Sequence, residues 1–228
     1  EGYVLLGDFE NQAYGWSTAD LDGDGETWNL GYNLWGDQPQ YCHSGKECLA
    51  SISYSNNLGA VTPDNWTMSP VITIPEDGAQ LSYYVAAFSP KRFEETYSMY
   101  VQPYDENTFS INDVAETEPL IKETLKEENG AEDGWTLRTF DLAKYAGKQV
   151  VICFRHHDCN GQYILRLDDV NVKRNTSNGV SNLISNVAGN SVRYFSVDGR
   201  QTNSLHKGIN IVRSQKEDGT VVVRKVLR

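Results

Sequence analysis

Short runs of alternating or β-branched hydrophobic residues recur along most of the chain. Tyr3–Leu6, Leu49–Tyr54, Trp66–Ile74, Leu81–Ala87, Tyr97–Pro103, Trp135–Leu142, Val150–Arg155 and Tyr163–Val172 all carry the period-two pattern of strands. Turn-rich breaks such as Pro75-Glu76-Asp77-Gly78 and Asp158-Cys159-Asn160-Gly161 separate them. So many strands with so little helical periodicity predict an all-β protein, a jelly-roll β-sandwich over residues 1–174. The strongest helical pattern is Glu116–Glu128, with Leu120, Ile121 and Leu125, and its spacing also fits an excursion between strands. Asp141–Tyr145 reads as a single turn. After the polar linker Asn175-Thr176-Ser177-Asn178-Gly179, residues 175–228 predict a small C-terminal β-module. Its strands are Ser191–Val197, Gly208–Arg213 and Thr220–Leu227, with turns at Asp198-Gly199 and Glu217-Asp218-Gly219. This module has little apolar material, so it leans on the first unit or is marginal alone.

Charge divides the chain in the same place. The 228 residues hold 20 Lys+Arg and 31 Asp+Glu, a formal net charge of −11. Residues 1–171 carry 10 basic and 28 acidic side chains (10 − 28 = −18), and residues 172–228 carry 10 and 3 (10 − 3 = +7). A strongly acidic first unit lacks the clustered cations of a nucleic-acid groove, so nucleic acid is excluded as a partner. It suits a chain that offers carboxylates to hard cations such as Ca2+. No run approaches the roughly 18 apolar residues of a membrane-spanning helix. The sequence starts at Glu1 without a basic-then-apolar leader, so any signal peptide is expected to have been removed or to lie outside this sequence.

Four cysteines, Cys42, Cys48, Cys153 and Cys159, form two pairs of equal spacing, neither of them CxxC. Their even number favours an exported protein. A disulfide could close the loop between Cys42 and Cys48, three connectivities are open, and buried free thiols are the alternative.

Two acidic constellations carry the candidate chemistry. In Asp20-Leu21-Asp22-Gly23-Asp24-Gly25, carboxylates at alternate positions let the loop curl until several oxygens face one cation. Counted from Asp20, the twelfth position is Gly31 rather than Glu, so the loop is not an EF-hand. The alternative is an exposed acidic turn in which Gly23 and Gly25 supply positive φ. The second constellation, Leu167-Asp168-Asp169-Val170, lies near the end of the sandwich. Adjacent side chains on a strand point to opposite faces, so one carboxylate is expected to be buried. A buried carboxylate must be paired, hydrogen-bonded or metal-bound. Glu10, just after the first strand, is its candidate partner, and a solvated edge pair is the alternative.

His156-His157-Asp158 lacks a nucleophile elbow, a phosphate loop or an HExxH frame, and reads as structural hydrogen bonding. Trp35, Tyr41 and Phe93 are candidates to line a ligand-binding surface, although most aromatics of such a chain belong to its core. Asn65-Trp66-Thr67 and Asn175-Thr176-Ser177 match the N-glycosylation sequon, which only a eukaryotic host would use.

Several ordered segments resemble the cleaved-adhesin domains of gingipains and related haemagglutinins. They are Phe9-Glu10, Gly15-Trp16, Asp20–Gly25 with Trp28, Thr62–Ser69, Phe154–Cys159, and Tyr163–Val170. The resemblance runs over roughly residues 8–172. It implies a jelly-roll adhesin module without a catalytic site, with Asp20, Asp22, Asp24, Asp168 and Asp169 as structural Ca2+ ligands. Gly31–Cys48 and the region around Asp105–Asp133 depart from it, and such loops carry specificity. The stretches Tyr194–Arg200, Lys207–Val212 and Val222–Val226 resemble the C-terminal sorting domain of the Por (type IX) secretion pathway. That resemblance implies a chain exported by a Gram-negative bacterium, secreted or held at the cell surface, with the secretion machinery as a partner. The expected function is therefore adhesion to a host protein or glycan. A carbohydrate-binding module of a glycan-degrading system is the alternative, and a two-carboxylate hydrolase has no recognisable frame here.

Overall fold

The computed structural model describes residues 2–175, 191–202, 204–215 and 221–227. The chain divides into two compact units, 1–175 and 176–228. Residues 176–179 of the expected linker and the expected turn at 217–219 lie outside the described residues.

The first unit is built from β1 (Tyr3–Gly7), β2 (Ser17–Asp20), β3 (Asn29–Leu30), β4 (Leu49–Ile52), β5 (Tyr54–Ser55), β6 (Gly59–Ala60) and β7 (Asn65–Met68). These are followed by β8 (Ile72–Thr73), β9 (Ala79–Ala87), β10 (Thr96–Pro103), β11 (Ile121–Thr124), β12 (Thr136–Asp141), β13 (Gln149–His156) and β14 (Ile164–Arg174). Two short helices interrupt them, α1 (Gly31–Trp35) and α2 (Ile111–Ala115). One six-stranded sheet runs β12-β9-β14-β4-β3, with β1 also on β14; the other runs β11-β10-β13-β7-β2, with β8 also on β13. All pairings are antiparallel, and the two sheets form the jelly-roll sandwich that the strand pattern predicts.

Alternation places the core. Along β9, Leu81, Tyr83, Val85 and Ala87 face Tyr97, Met99 and Val101 of β10 and Ile152 and Phe154 of β13. Each large side chain fully buried this way contributes about 1.5–3 kcal/mol. Each outer face is covered in part. On the second sheet, Trp66, Tyr100, Val151 and Cys153 pack beneath Ile111 and Val114 of α2 and the preceding Phe109. On the first, Ala50, Ile52 and Ile164 lie beneath Trp35, Phe88 and Tyr163. Trp35 from the region Gly31–Cys48 and Phe109, Ile111 and Val114 from the region Asp105–Asp133 thus help to cover the two outer faces.

Two expectations change, and one open alternative is resolved. No helix spans Glu116–Glu128; Ile121–Thr124 forms β11, pairing with Thr96–Met99 of β10. Leu125 is buried, and Leu120 and Ile121 pack against the core. The open edge of β10 offered a ladder, and tertiary pairing outweighed a weak helical pattern. Trp66–Ile74 breaks into β7 and β8 because Pro70 has no N–H to give, while Ser69 Oγ receives the Ile152 N–H at 3.0 Å. All four cysteines are free thiols, with Cys42, Cys48 and Cys153 buried.

The second unit contains β15 (Ser191–Ser196), β16 (Gln201–Thr202), β17 (Ile209–Gln215) and β18 (Val221–Leu227), ordered β16-β15-β17-β18 in one antiparallel sheet. Phe195 and Asn210 are buried in it, whereas Val197 and Val223 are 68% and 60% exposed, so its apolar burial is small. Asn210 closes the turn before β17 by donating to His206 O and Gly208 O and accepting the His206 N–H.

Candidate cation loops and ligand-binding face

The loop after β2 curls as its residue order requires. Asp20 ends β2 opposite Asn65 of β7, and the Leu21 N–H donates to Asp64 O at 3.0 Å. Asp20 Oδ1 then accepts the Gly23 N–H at 2.7 Å and its Oδ2 accepts the Gly25 N–H at 2.9 Å. Both glycines have positive φ, 76° and 88°, and a side chain would strain that turn. Trp28 anchors the way out, buried and donating Nε1–H to Asn65 O at 2.9 Å. The result brings carboxylate oxygens of Asp20, Asp22 and Asp24 within 4.8 Å of one another. The N–H groups of Gly25 and Gly23 hold the Asp20 carboxyl below the usual range. Burial, the hydrogen bond with Asp20 and the charge of Asp24 push Asp22 up to about 6. Three crowded hard oxygen donors on an open loop fit a divalent hard cation such as Ca2+.

The second constellation is built differently. β14 carries a bulge between Asp168 and Asn171 against β9, and Asp169 takes positive φ (50°). The two aspartates therefore do not separate onto opposite faces as a regular strand would place them; both reach the loop between Cys42 and Cys48. Asp168 Oδ2 accepts the His43 and Ser44 N–H groups at 2.9 and 3.1 Å, and its Oδ1 accepts the Asp169 N–H at 2.7 Å. Asp169 Oδ2 lies 2.7 Å from His43 Nδ1, and its Oδ1 accepts Ser44 Oγ–H at 3.1 Å. Glu10 Oε1 meets the same loop further on, accepting the Lys46 and Glu47 N–H groups at 2.6 and 2.8 Å. Glu10 thus shares a loop with Asp168 and Asp169, but among the described residues the three do not cluster as Asp20, Asp22 and Asp24 do. Asp168 is fully buried, and burial, with the charge of Asp169, pushes its carboxyl up to about 8 against those backbone donors.

Trp35 and Tyr41 come together over the first sheet. Their rings lie 5.8 Å apart, and each contacts Phe88, at 5.3 and 4.7 Å. Phe88 in turn meets Tyr163 at 5.4 Å. The buried Arg166 fixes this layer by donating to Tyr41 O and Ala87 O, both at 2.7 Å, with its guanidinium over Phe88 and Trp135. Beyond Tyr163 opens a groove of about 530 Å³ lined by Asn33, Tyr54, Asn56, Asn57, Leu58 and Tyr163. Phe93 is not part of this face; it packs against the sandwich core. Sequence reasoning passed over Phe88, Trp135 and Tyr163 as members of this face, although Phe88 directly follows β9. The groove joins segments more than a hundred residues apart, which no local signal reports.

The histidines hydrogen-bond in separate places. His156 is buried against Ser51 Oγ (2.8 Å) and Glu95 Oε2 (2.9 Å), while His157 Nε2 meets Ser98 Oγ at 2.8 Å.

Residues 3–172 match the family model of the Cleaved Adhesin Domain. Hemagglutinin A of Porphyromonas gingivalis W83 is 35% identical over 182 residues, covering 75% of this chain and 8% of that protein. Lys-gingipain W83 of the same species is 30% identical over 179 residues, covering 73% of this chain and 10% of that protein. The chain thus spans about a tenth or less of the length of these relatives. Among solved structures, the K1 cleaved adhesin domain of Lys-gingipain from Porphyromonas gingivalis W83 is similar, at a TM-score of 0.59 and 29% identity, covering 75% of this chain and 98% of that one. The carbohydrate-binding module TmCBM61, solved with β-1,4-galactotriose, shares the fold at a TM-score of 0.52 and 11% identity, covering 76% of this chain and 99% of that one. Through residues 3–172, the chain belongs to the cleaved adhesin domain family.

Proposed function

We propose that this chain is an exported adhesion module, secreted or held at the surface of a Gram-negative bacterium, that binds a host protein or glycan while Ca2+ stiffens its loops. The observation that carries the reading is the continuous aromatic face of Trp35, Tyr41, Phe88 and Tyr163 running into an open groove. Half-buried rings beside amide side chains form a binding surface, with apolar area for affinity and polar groups for orientation. Membership of an adhesin family supports the same reading. Ca2+ is assigned to Asp20, Asp22 and Asp24, with Asp168, Asp169 and Glu10 steadying the neighbouring loop. The role is binding rather than catalysis. The basic second unit acts as the export module, in keeping with its sorting-domain resemblance and its small self-contained sheet.

The test is a screen of the chain against matrix proteins and a glycan array, with and without chelator. Trp35→Ala and Tyr163→Ala are expected to weaken a hit about tenfold or more, with a native far-UV spectrum as the control because both rings also cover Ala50, Ile52 and Ile164. Binding to neither class, or binding indifferent to both variants, removes the support. Groove lining favours a second, narrower reading as a carbohydrate-binding module. Tyr54 and Tyr163 beside Asn33, Asn56 and Asn57 offer stacking and amide hydrogen bonds to a sugar, and TmCBM61 was solved with a galactotriose. Hits confined to glycans and lost in Tyr54→Ala would select it.

A further inference from the structure

Glu95, His156 and Cys159 meet at one end of the sandwich, outside the acidic loops. Glu95 and His156 are fully buried, and Cys159 is half-buried. Asp158 takes positive φ (51°), and the turn it makes brings Cys159 back toward His156. His156 Nε2 lies 2.9 Å from Glu95 Oε2 and 3.2 Å from Cys159 Sγ, and Cys159 Sγ lies 3.4 Å from Glu95 Oε2.

A nucleophilic thiol needs a different arrangement. In a thiol–imidazole–carboxylate relay, the thiol and the carboxylate address opposite ring nitrogens. Here both crowd the same Nε2, while Nδ1 faces Ser51 Oγ at 2.8 Å. One ring nitrogen can satisfy one of those two partners as a hydrogen bond, yet three donor atoms converge.

We infer that Glu95, His156 and Cys159 form a binding site for a single borderline-soft divalent metal ion of the zinc class. Thiolate with imidazole selects such an ion over Ca2+ or Mg2+. With metal–ligand distances of about 2.0 Å for N and O and about 2.3 Å for S, a tetrahedral site separates its ligand atoms by roughly 3.3–3.6 Å. The three atoms need to spread by only a few tenths of an ångström to reach that spacing. The outer shell is already built. Ser51 holds the ring through Nδ1, Ser53 Oγ donates to Glu95 at 2.9 and 3.0 Å, and the Tyr163 N–H donates to Glu95 Oε1 at 2.7 Å. Binding expels the thiol proton, and any proton on Nε2, to solvent. Water completes the fourth position.

The test uses the full chain, stripped with a strong chelator and reconstituted in excess Ca2+ so that hard-oxygen loops remain saturated. One equivalent of Zn2+ should be retained, and Co2+ should give a thiolate-to-cobalt charge-transfer band. That band should survive the double substitution Cys42→Ser/Cys48→Ser and vanish in Cys159→Ser. Ser51→Ala should lower Zn2+ affinity about tenfold, as loss of an outer-shell partner does. Absence of the band in the wild-type chain overturns the site, as does a band kept by Cys159→Ser and lost in the double variant. If Cys159→Ser fails to fold, native alkylation of the wild-type chain decides. Zn2+ should slow labelling of Cys159 about tenfold by sequestering the thiolate, and equal labelling with and without Zn2+ overturns the site.

Discussion

The two acidic constellations use the same side chain for opposite purposes. Asp20, Asp22 and Asp24 lie within five residues on an open loop, with their carboxylates crowded toward one another. Asp168 sits buried in the middle of a sheet and spends its oxygens on backbone N–H groups of a loop more than a hundred residues away. In the first, Asp20 takes the Gly23 and Gly25 N–H groups, yet three carboxylates still face one another on an open loop, the arrangement a cation would complete. In the second, backbone N–H groups of the loop hold the Asp168 carboxyl as a clamp. The two settings differ in what the carboxylates face: one another, or the backbone of a distant loop.

That contrast can be broken by measurement. Its largest expected effect is at Asp168. Replacing it with Ala strips the acceptor from the His43, Ser44 and Asp169 N–H groups, and should cost about 3 kcal/mol or more in urea unfolding. Asp168→Asn keeps an acceptor and removes a buried charge, so it should cost distinctly less; equal costs would show that the charge, not the acceptor, holds the loop. Next in size is chelation. A cation held at 100 times its dissociation constant stabilises the fold by about 2.7 kcal/mol. Adding Ca2+ to the chelator-stripped chain should raise the melting temperature accordingly, and Asp20→Asn/Asp22→Asn should abolish the difference while Asp168→Asn preserves it. Gly45→Ala comes third. Gly45 has φ +57°, and a Cβ there would lie 2.2 Å from Glu10 Oε1, so a loss of about 1–3 kcal/mol is expected. The smallest effect belongs to Asp24→Asn without calcium. Its Oδ1 accepts only the exposed Glu26 N–H, and the change in unfolding free energy should stay within about 0.5 kcal/mol. A larger loss at Asp24 than at Asp168 would reverse the comparison.

Legibility in the sequence follows the same division. The carboxylate cluster of Asp20, Asp22 and Asp24 could be read because its side chains and its glycines are neighbours in the chain. The strands of the sandwich could be read because β9 alternates from Ala79 to Val85. β11 was masked because Leu120, Ile121 and Leu125 mimic a helical spacing, and the edge that claims them lies on a distant strand. The shared direction of Asp168 and Asp169 depends on a bulge and a left-handed φ that alternation rules do not contain. Trp35 and Tyr41 could be singled out as loop aromatics, but Phe93 looked the same in sequence and belongs to the core. Glu95 gave no signal beside Glu94, because its partners come from three other segments.

β14 pairs with β1, β4 and β9, so the strand that joins one whole sheet is the last that the first unit makes. Until residues 164–174 have emerged, β1 and β4 lack their principal neighbour and the sheet has no centre. A growing chain must therefore remain open almost to the end of this unit and then close in one non-local step, which places its folding among the slow topologies, milliseconds to seconds. Fragments ending before Ile164 should gain no cooperative unfolding transition. A polypeptide held open in this way stays threadable for as long as it is being made.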